Sequence, residues 1–317
     1  MKRRNAWFVV ALAGMLCGGA WRASAQTVVA ELTTAYHHIK VVDEGVHRFL
    51  SFDGSMESRI VRDHPLEGHF EYTLYFQMPW IWNPDIQRVL MVGLGGGTAQ
   101  ARFAHDVPGV DITTVELDPM VVTVARQYFG FQVSDQQKVR VEDGRVYLRR
   151  TREVFDLIVM DAYTSQRYGS SLPQHLATQE FFELARSRLR PNGVLCYNVM
   201  GDWKGAESRL VAALHNTLKT TFPHVYFFPV PESKNVILVA PTLERRLSFS
   251  DMNARGAVVT RDKKITFPGF RRRIYEVKTQ AAYGMDKAPV LTDDHAPIEG
   301  LIRSSEGNQP GPVKKEE

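Results

Sequence analysis

Val89-Leu90-Met91-Val92-Gly93-Leu94-Gly95-Gly96-Gly97-Thr98 is the stretch on which the fold of this 317-residue chain turns. Four successive apolar residues suit a strand covered on both faces, and the glycine-rich turn after them opens a helical pattern that takes in residues 100–105. Downstream the texture repeats. Asp111-Ile112-Thr113-Thr114-Val115 is a second strand, followed by a helix over 119–128. Val139-Arg140-Val141 is a third, Phe155-Asp156-Leu157-Ile158-Val159-Met160 a fourth and Gly193-Val194-Leu195-Cys196-Tyr197-Asn198-Val199 a fifth. A helix over 178–189 stops at Arg190-Pro191-Asn192-Gly193, with proline and glycine where a helix end wants them. A further amphipathic helix covers 208–221, and 225–228 with 235–240 reads as a closing antiparallel pair. Buried strands alternating with crossover helices predict an α/β fold with a mostly parallel, doubly wound sheet that begins at Val89.

Upstream, residues 36–78 read as a small antiparallel β region of short alternating runs, broken at Asp53-Gly54. Phe76, Met78, Trp80 and Trp82 are expected to pack between that region and the main sheet. Before it, Lys2-Arg3-Arg4, an apolar stretch over 6–21 and Ala23-Ser24-Ala25 have the three parts of a secretory signal. The expected organisation is a signal peptide over 1–25, a small β domain over 26–84, a Rossmann-like domain over 85–302 and a disordered tail over 303–317. An exported, periplasmic chain that starts at Gln26 is predicted, or a membrane-anchored one if the leader stays attached.

With 44% hydrophobic and 23% charged residues the chain can bury a full core. Its net charge of +4 comes from the leader: without Lys2, Arg3, Arg4 and Arg22, 35 bases face 35 acids. Bulk charge therefore gives no support to a nucleic-acid partner. Past the leader Cys196 is the only cysteine, which excludes an intrachain disulfide and a Cys-based zinc site. The histidines show no helical ligand spacing, so no metal is expected.

A glycine loop between strand and helix lets a ligand approach the backbone closely, and Glu116, at the tip of the second strand, stands where a carboxylate accepts hydrogen bonds from ribose hydroxyls. Asp118 follows it, Asp143-Gly144 ends the third strand and Asp161 the fourth. In an open sheet the ligand crevice lies at those carboxyl ends, so Glu116, Asp118, Asp143 and Asp161 are expected to converge there. Helix capping is the competing explanation for each acid taken singly. No Lys or Arg stands between Gly93 and Gln100, and no P-loop Lys-Ser/Thr pair is present. An acidic, phosphate-free crevice suits an adenosyl sulfonium better than a nucleotide.

Val89 through Pro119, then Glu142-Asp143-Gly144-Arg145, then Asp156-Leu157-Ile158-Val159-Met160-Asp161-Ala162-Tyr163, then Leu189-Arg190-Pro191-Asn192-Gly193-Val194-Leu195 resemble the spermidine synthase family, the polyamine aminopropyltransferases. The likeness spans roughly residues 36–240 and implies a methyltransferase-like Rossmann core behind a small β domain. It further implies decarboxylated S-adenosylmethionine, or S-adenosylmethionine, as co-substrate without metal, a small-molecule amine as acceptor, and a homodimer. Carried over, Glu116 holds the ribose and Asp143 the adenine, with Asp118 and Gly144 beside them. Gly93, Gly95 and Gly97 form the loop at the thioether end, and Asp161 orients and deprotonates the amine.

Three departures stand out. Gly96 occupies the place of the family's loop acid, Thr164 that of a second carboxylate after the fourth strand, and Gly68-His69-Phe70-Glu71-Tyr72 is the nearest material to the amine-binding Tyr-His-Glu. An exported spermidine-synthase-like subgroup is closer, on Asp161-Ala162-Tyr163-Thr164-Ser165, Leu172-Pro173-Gln174-His175-Leu176-Ala177-Thr178 and Leu291-Thr292-Asp293-Asp294-His295-Ala296-Pro297-Ile298-Glu299. There Tyr163, Asp293 and Asp294, with Glu299, are candidates for a replacement amine site; the competing reading of the last motif is a capped turn that packs the C-terminus onto the sheet. Two alternatives to aminopropyl transfer stay open. One is methyl transfer from intact S-adenosylmethionine, with the absent loop acid leaving room for the donor carboxylate. The other is an exported binding module without chemistry.

Overall fold

The computed structural model describes residues 26–306 except 167, 168, 268, 280, 281 and 283. The leader and the part of the expected tail beyond residue 306 lie outside the described residues. An antiparallel sheet, β1 (Gln26–Thr33), β2 (His38–Glu44), β3 (His47–Phe52) and β4 (Ser55–Val61), comes first. The seven-stranded sheet is built from β5 (Arg88–Val92), β6 (Asp111–Glu116), β7 (Gln137–Val141), β8 (Phe155–Met160), and then β11 (Leu189–Met200), β12 (Tyr226–Pro229) and β13 (Asn235–Pro241). A two-stranded hairpin, β9 (Thr164–Gln166) with β10 (Gly169–Ser171), leaves the tip of β8. The helices are α1 (Thr98–Asp106), α2 (Pro119–Tyr128), α3 (Gly144–Arg150), α4 (Gln179–Ser187), α5 (Arg209–Lys219), α6 (Phe249–Arg261), α7 (Phe270–Arg273) and α8 (Ile298–Glu306).

The large sheet runs β12-β13-β11-β8-β5-β6-β7, parallel from β11 to β7, with β12 and β13 antiparallel at one edge. The α/β class, the doubly wound sheet and the closing antiparallel pair thus match the expectation. The inner runs of the central strands, residues 89–92 in β5, 157–160 in β8 and 194–197 in β11, are apolar because both faces are covered. Leu90, Val92, Ile158, Met160, Leu195 and Tyr197 point into a core with α3, α4, α5 and α8. The alternate residues Val89, Met91, Leu157, Val159, Val194 and Cys196 point to α1, α6 and α7 on the other side. Chain order reverses between β5 and β8, so the two crossovers leave toward opposite edges and open a crevice at the carboxyl ends of this pair.

Three local readings are corrected. Residues Glu71–Ile81 form 3-10 turns rather than part of the β region. Nearly every side chain from Thr73 to Ile81 is buried, which suits a segment wrapped by neighbours better than a half-exposed strand. Phe76, Met78, Trp80 and Trp82 belong to the core shared with α6 and α7, while the small sheet makes a separate core with α2 through Ile39, Val41, Leu50, Val121 and Val124. Finally, α8 runs to Glu306, four residues into the stretch expected to be disordered.

Candidate active site

At the crevice a cleft of about 1070 Å³, its open mouth included, separates the small sheet from the carboxyl ends of β5, β6, β7 and β8. Its described lining holds the carboxylates of Glu57, Glu116, Glu142, Asp143 and Asp161 and no Lys or Arg. Aromatic rings of Tyr36, Phe52, Tyr72 and Tyr163 fill much of the rest.

Gly93 begins the site. Its φ of +101° is one that side chains rarely adopt, and a Cβ there would lie 2.1 Å from the Asp161 carbonyl oxygen. Glycine thus lets β5 turn directly against the end of β8, and Asp161 N–H donates to the Val92 carbonyl at 2.9 Å to close the contact. Gly95 lines the cleft as expected; Gly97 does not, and serves as the left-handed residue before α1, hard against Phe131. The loop leans on β4, where Ser58 Oγ accepts the Gly96 N–H at 2.9 Å. A Cβ on Gly96 would meet Phe129 and Ser58 at about 3 Å. The space opened by the missing loop acid is therefore closed by Phe129 at the end of α2 and by Ser58 of the small sheet, which corrects the expectation of room for a donor carboxylate there.

Glu116 is buried, and burial lifts its carboxyl to about pH 7 against the pull of its hydrogen bonds. Oε1 accepts from Asp118 N–H at 2.9 Å and Oε2 from Leu94 N–H at 3.0 Å. These bonds fix the carboxylate between the glycine loop and β6 and leave each oxygen a second lone pair for the cleft.

Asp118 is not part of the lining, contrary to the expected convergence. It caps α2 by accepting Met120 N–H at 2.8 Å and takes the Thr34 hydroxyl at 2.6 Å, tying the small sheet to the helix. Asp143 does both jobs: Oδ1 caps α3 through Val146 N–H, while Oδ2 meets His175 Nε2 at 2.8 Å, and both residues line the cleft. That histidine bond, ahead of burial acting the other way, holds the Asp143 carboxyl below its usual range. Gly144 also lines the cleft, its α-carbon set against Val92.

Asp161 lies on the floor, partly open to the cleft. Burial pushes its carboxyl up to about 6, opposed by hydrogen bonds from Asn198 and Tyr72. Asn198 Nδ2 donates to Oδ1 at 2.8 Å, and the Tyr72 hydroxyl approaches Oδ2 at 3.5 Å. Burial keeps the Tyr72 and Tyr163 phenols protonated far above neutrality.

Three of the expected amine contacts stand differently. The Tyr163 ring faces the cleft, but its hydroxyl donates to the Asn198 carbonyl at 2.9 Å and accepts Met200 N–H at 3.0 Å, so it is engaged with β11. Asp293 and Asp294 lie outside the lining. Asp293 holds Arg145 in a two-pronged pair at 2.7 and 2.6 Å and accepts the Thr178 hydroxyl, while Thr292 and His295 close a turn upon themselves. The closing motif is thus the packing turn. Among described residues no group of three His, Cys, Asp or Glu is placed to hold a metal.

Tyr72, Glu57, Ser58, His175 and Asn198 went unrecognised as site residues. Glu57, Ser58, Tyr72 and His175 line the cleft and Asn198 supports Asp161 beneath it, each from an element remote in sequence from the glycine loop. Tyr72, in the segment nearest the amine-binding Tyr-His-Glu, and Asn198, near its strand end, carry the local signals.

The spermine/spermidine synthase domain family matches residues 70–246. A polyamine aminopropyltransferase of Vibrio vulnificus is 30% identical over 223 residues, covering 68% of this chain and 72% of that protein. Among solved structures, a probable spermidine synthase from Corynebacterium glutamicum superposes with a TM-score of 0.60 at 22% identity, over 75% of this chain and 94% of that one. Human Methyltransferase-like protein 13 in complex with SAH superposes at 0.55 with 27% identity, over 62% of this chain and 93% of that one.

Proposed function

Because the chain belongs to the spermine/spermidine synthase family, we propose that it transfers an aminopropyl group from decarboxylated S-adenosylmethionine to a small amine, with Asp161 as the base. The observation that carries this reading is the lining of the cleft: five carboxylates and no described Lys or Arg. Such a wall favours a cationic, phosphate-free donor and an ammonium acceptor. Glu116, fixed by two backbone N–H groups, would take the ribose hydroxyls, with Asp143 and His175 at the adenine end.

An ammonium has no lone pair to attack with until it loses a proton. Asp161 accepts that proton. The amine nitrogen then bonds to the propyl carbon as the carbon–sulfur bond breaks, and the bonding pair returns to sulfur to leave a neutral thioether. Tyr72 and Asn198 hold the carboxylate during the transfer.

Methyl transfer is the second reading, supported by the likeness to the human methyltransferase-like protein. The two differ in one group, the donor carboxylate, which the acidic lining repels. Calorimetric titration should give an affinity for the decarboxylated donor about tenfold or more above that for S-adenosylmethionine. The opposite order overturns aminopropyl transfer in favour of methyl transfer, and failure of either donor to bind favours a binding module. The basic, apolar and small-residue blocks of residues 1–25 support export. N-terminal sequencing of protein from the periplasmic fraction should begin at Gln26; recovery of the uncleaved chain from membranes would mean an anchor.

A further inference from the structure

Polar side chains from three adjacent strands stand in a row that runs from Asp161 on the cleft floor back into the sheet. Asn235, the first residue of β13, donates through Nδ2 to Asn198 Oδ1 at 2.9 Å. Asn198, in β11, donates in turn through Nδ2 to Asp161 Oδ1 at 2.8 Å, just past the end of β8. A primary amide has a donating and an accepting end, and an ionised carboxylate only accepts. The Asn198 side chain must therefore present nitrogen to Asp161 and oxygen to β13. At 2% exposure it is shielded from the solvent that could otherwise satisfy either orientation. Asn235 is well placed to hold it, since its backbone carbonyl accepts Val230 N–H at 2.9 Å and it lies opposite Met200 in the β11–β13 register.

We propose that Asn235 is a positioning residue for Asp161: its donated hydrogen bond fixes the amide of Asn198 so that N–H, and not the carbonyl oxygen, meets the carboxylate. The other ionisable groups around Asp161 are Tyr72 from the 3-10 segment, Tyr163 from the loop after β8 and Cys196 from β11, with Glu57 lining the cleft from β4. Burial holds both phenols and the thiol neutral, so none of those three supplies a compensating charge when the amide turns. The consequence for rate rests on Asp161 being the base; the consequence for Asp161 itself does not.

The test is a carbon-detected NMR titration of the Asp161 carboxyl, assigned by its loss in Asp161→Asn, in wild type, Asn235→Leu and Asn235→Asp. Leucine removes the donor at similar size without adding charge, and Asp161 should titrate higher by roughly one pH unit. Aspartate at the same shape accepts instead of donating and should raise it further. In turnover the acid limb of kcat should follow these shifts while donor KM stays put. An unmoved Asp161 titration in Asn235→Leu overturns the inference even if Asn235→Asp moves, because added charge alone explains the latter. Should the leucine variant fail to fold, Asn235→Ala, which also removes the donor without adding charge, takes its place with the same two outcomes. If Asp161→Asn keeps full transferase activity, the reading of Asp161 as base fails while the titration still decides the role of Asn235.

Discussion

Asp161→Asn is expected to lower the rate of amine transfer on the order of 10²–10⁴-fold, the usual contribution of a positioned general base, with donor affinity unchanged. Asparagine keeps the shape and an oxygen to accept from Asn198 Nδ2, so the lost element is the proton acceptor. Single-turnover kinetics with saturating donor measures the step directly; a rate within the wild-type range would remove Asp161 from the mechanism. In the wild type the same step should fade below a pH of about 6, where Asp161 takes up its proton, and level off above it.

The raised pKa has a stability signature of opposite sign to the activity. In the unfolded chain the carboxyl ionises near 3.8, whereas in the fold burial delays it to about 6. Folding is thus unpenalised below the unfolded value and loses stability as pH rises through the folded one, by up to about 3 kcal/mol. Asp161→Asn should accordingly melt higher than wild type at pH 8, with the gap closing toward pH 4. An equal gap at both values would mean that the carboxyl is not held out of water.

Gly93→Ala should be the most damaging conservative change in the glycine loop. Two costs coincide there: a φ of +101° and a Cβ 2.1 Å from the Asp161 carbonyl oxygen, a backbone atom that cannot move without dragging the base. Strain and overpacking together should cost about 3 kcal/mol or more in urea unfolding. Gly109→Ala separates the terms, because its φ is +84° with nothing within 4 Å of the added carbon, so about 1 kcal/mol is expected. Equal losses at the two positions would show that close approach to β8 is not what Gly93 provides.

Parallel sheets put chemistry at predictable places. Once β5 and its glycine turn are recognised, the residues at the tips of the next strands fall along one edge, which is why Gly93, Gly95, Glu116, Asp143 and Asp161 could be placed at the cleft from the chain alone. Asp118 departs from this pattern. A residue two positions past Glu116 is as close to the edge but lies where α2 begins, and an aspartate at that point can be spent on the helix N–H groups. Tyr163 was placed at the cleft, but its hydroxyl found a partner in β11. The sequence offers Asp293 as an available carboxylate, but Arg145, 148 residues earlier in the chain, engages it.

The alternation of buried strands with crossover helices, a crevice at the strands' carboxyl ends and its acidic edge follow from apolar runs and the turns that end them, all of them short-range patterns that a linear reading captures. The strand order that puts β8 beside β5 is set only in the sheet. The partners of Asp161 do not follow from such patterns either. Tyr72 and Asn198 stand 89 and 37 residues away, and the amide that faces the carboxylate is oriented by Asn235 on a third strand. Hydrogen bonds of this kind depend on how separate elements pack against one another, and on which end of an amide the surrounding groups leave available. The first is set by the whole core and the second by its neighbours in space, so neither leaves a periodic trace in the chain.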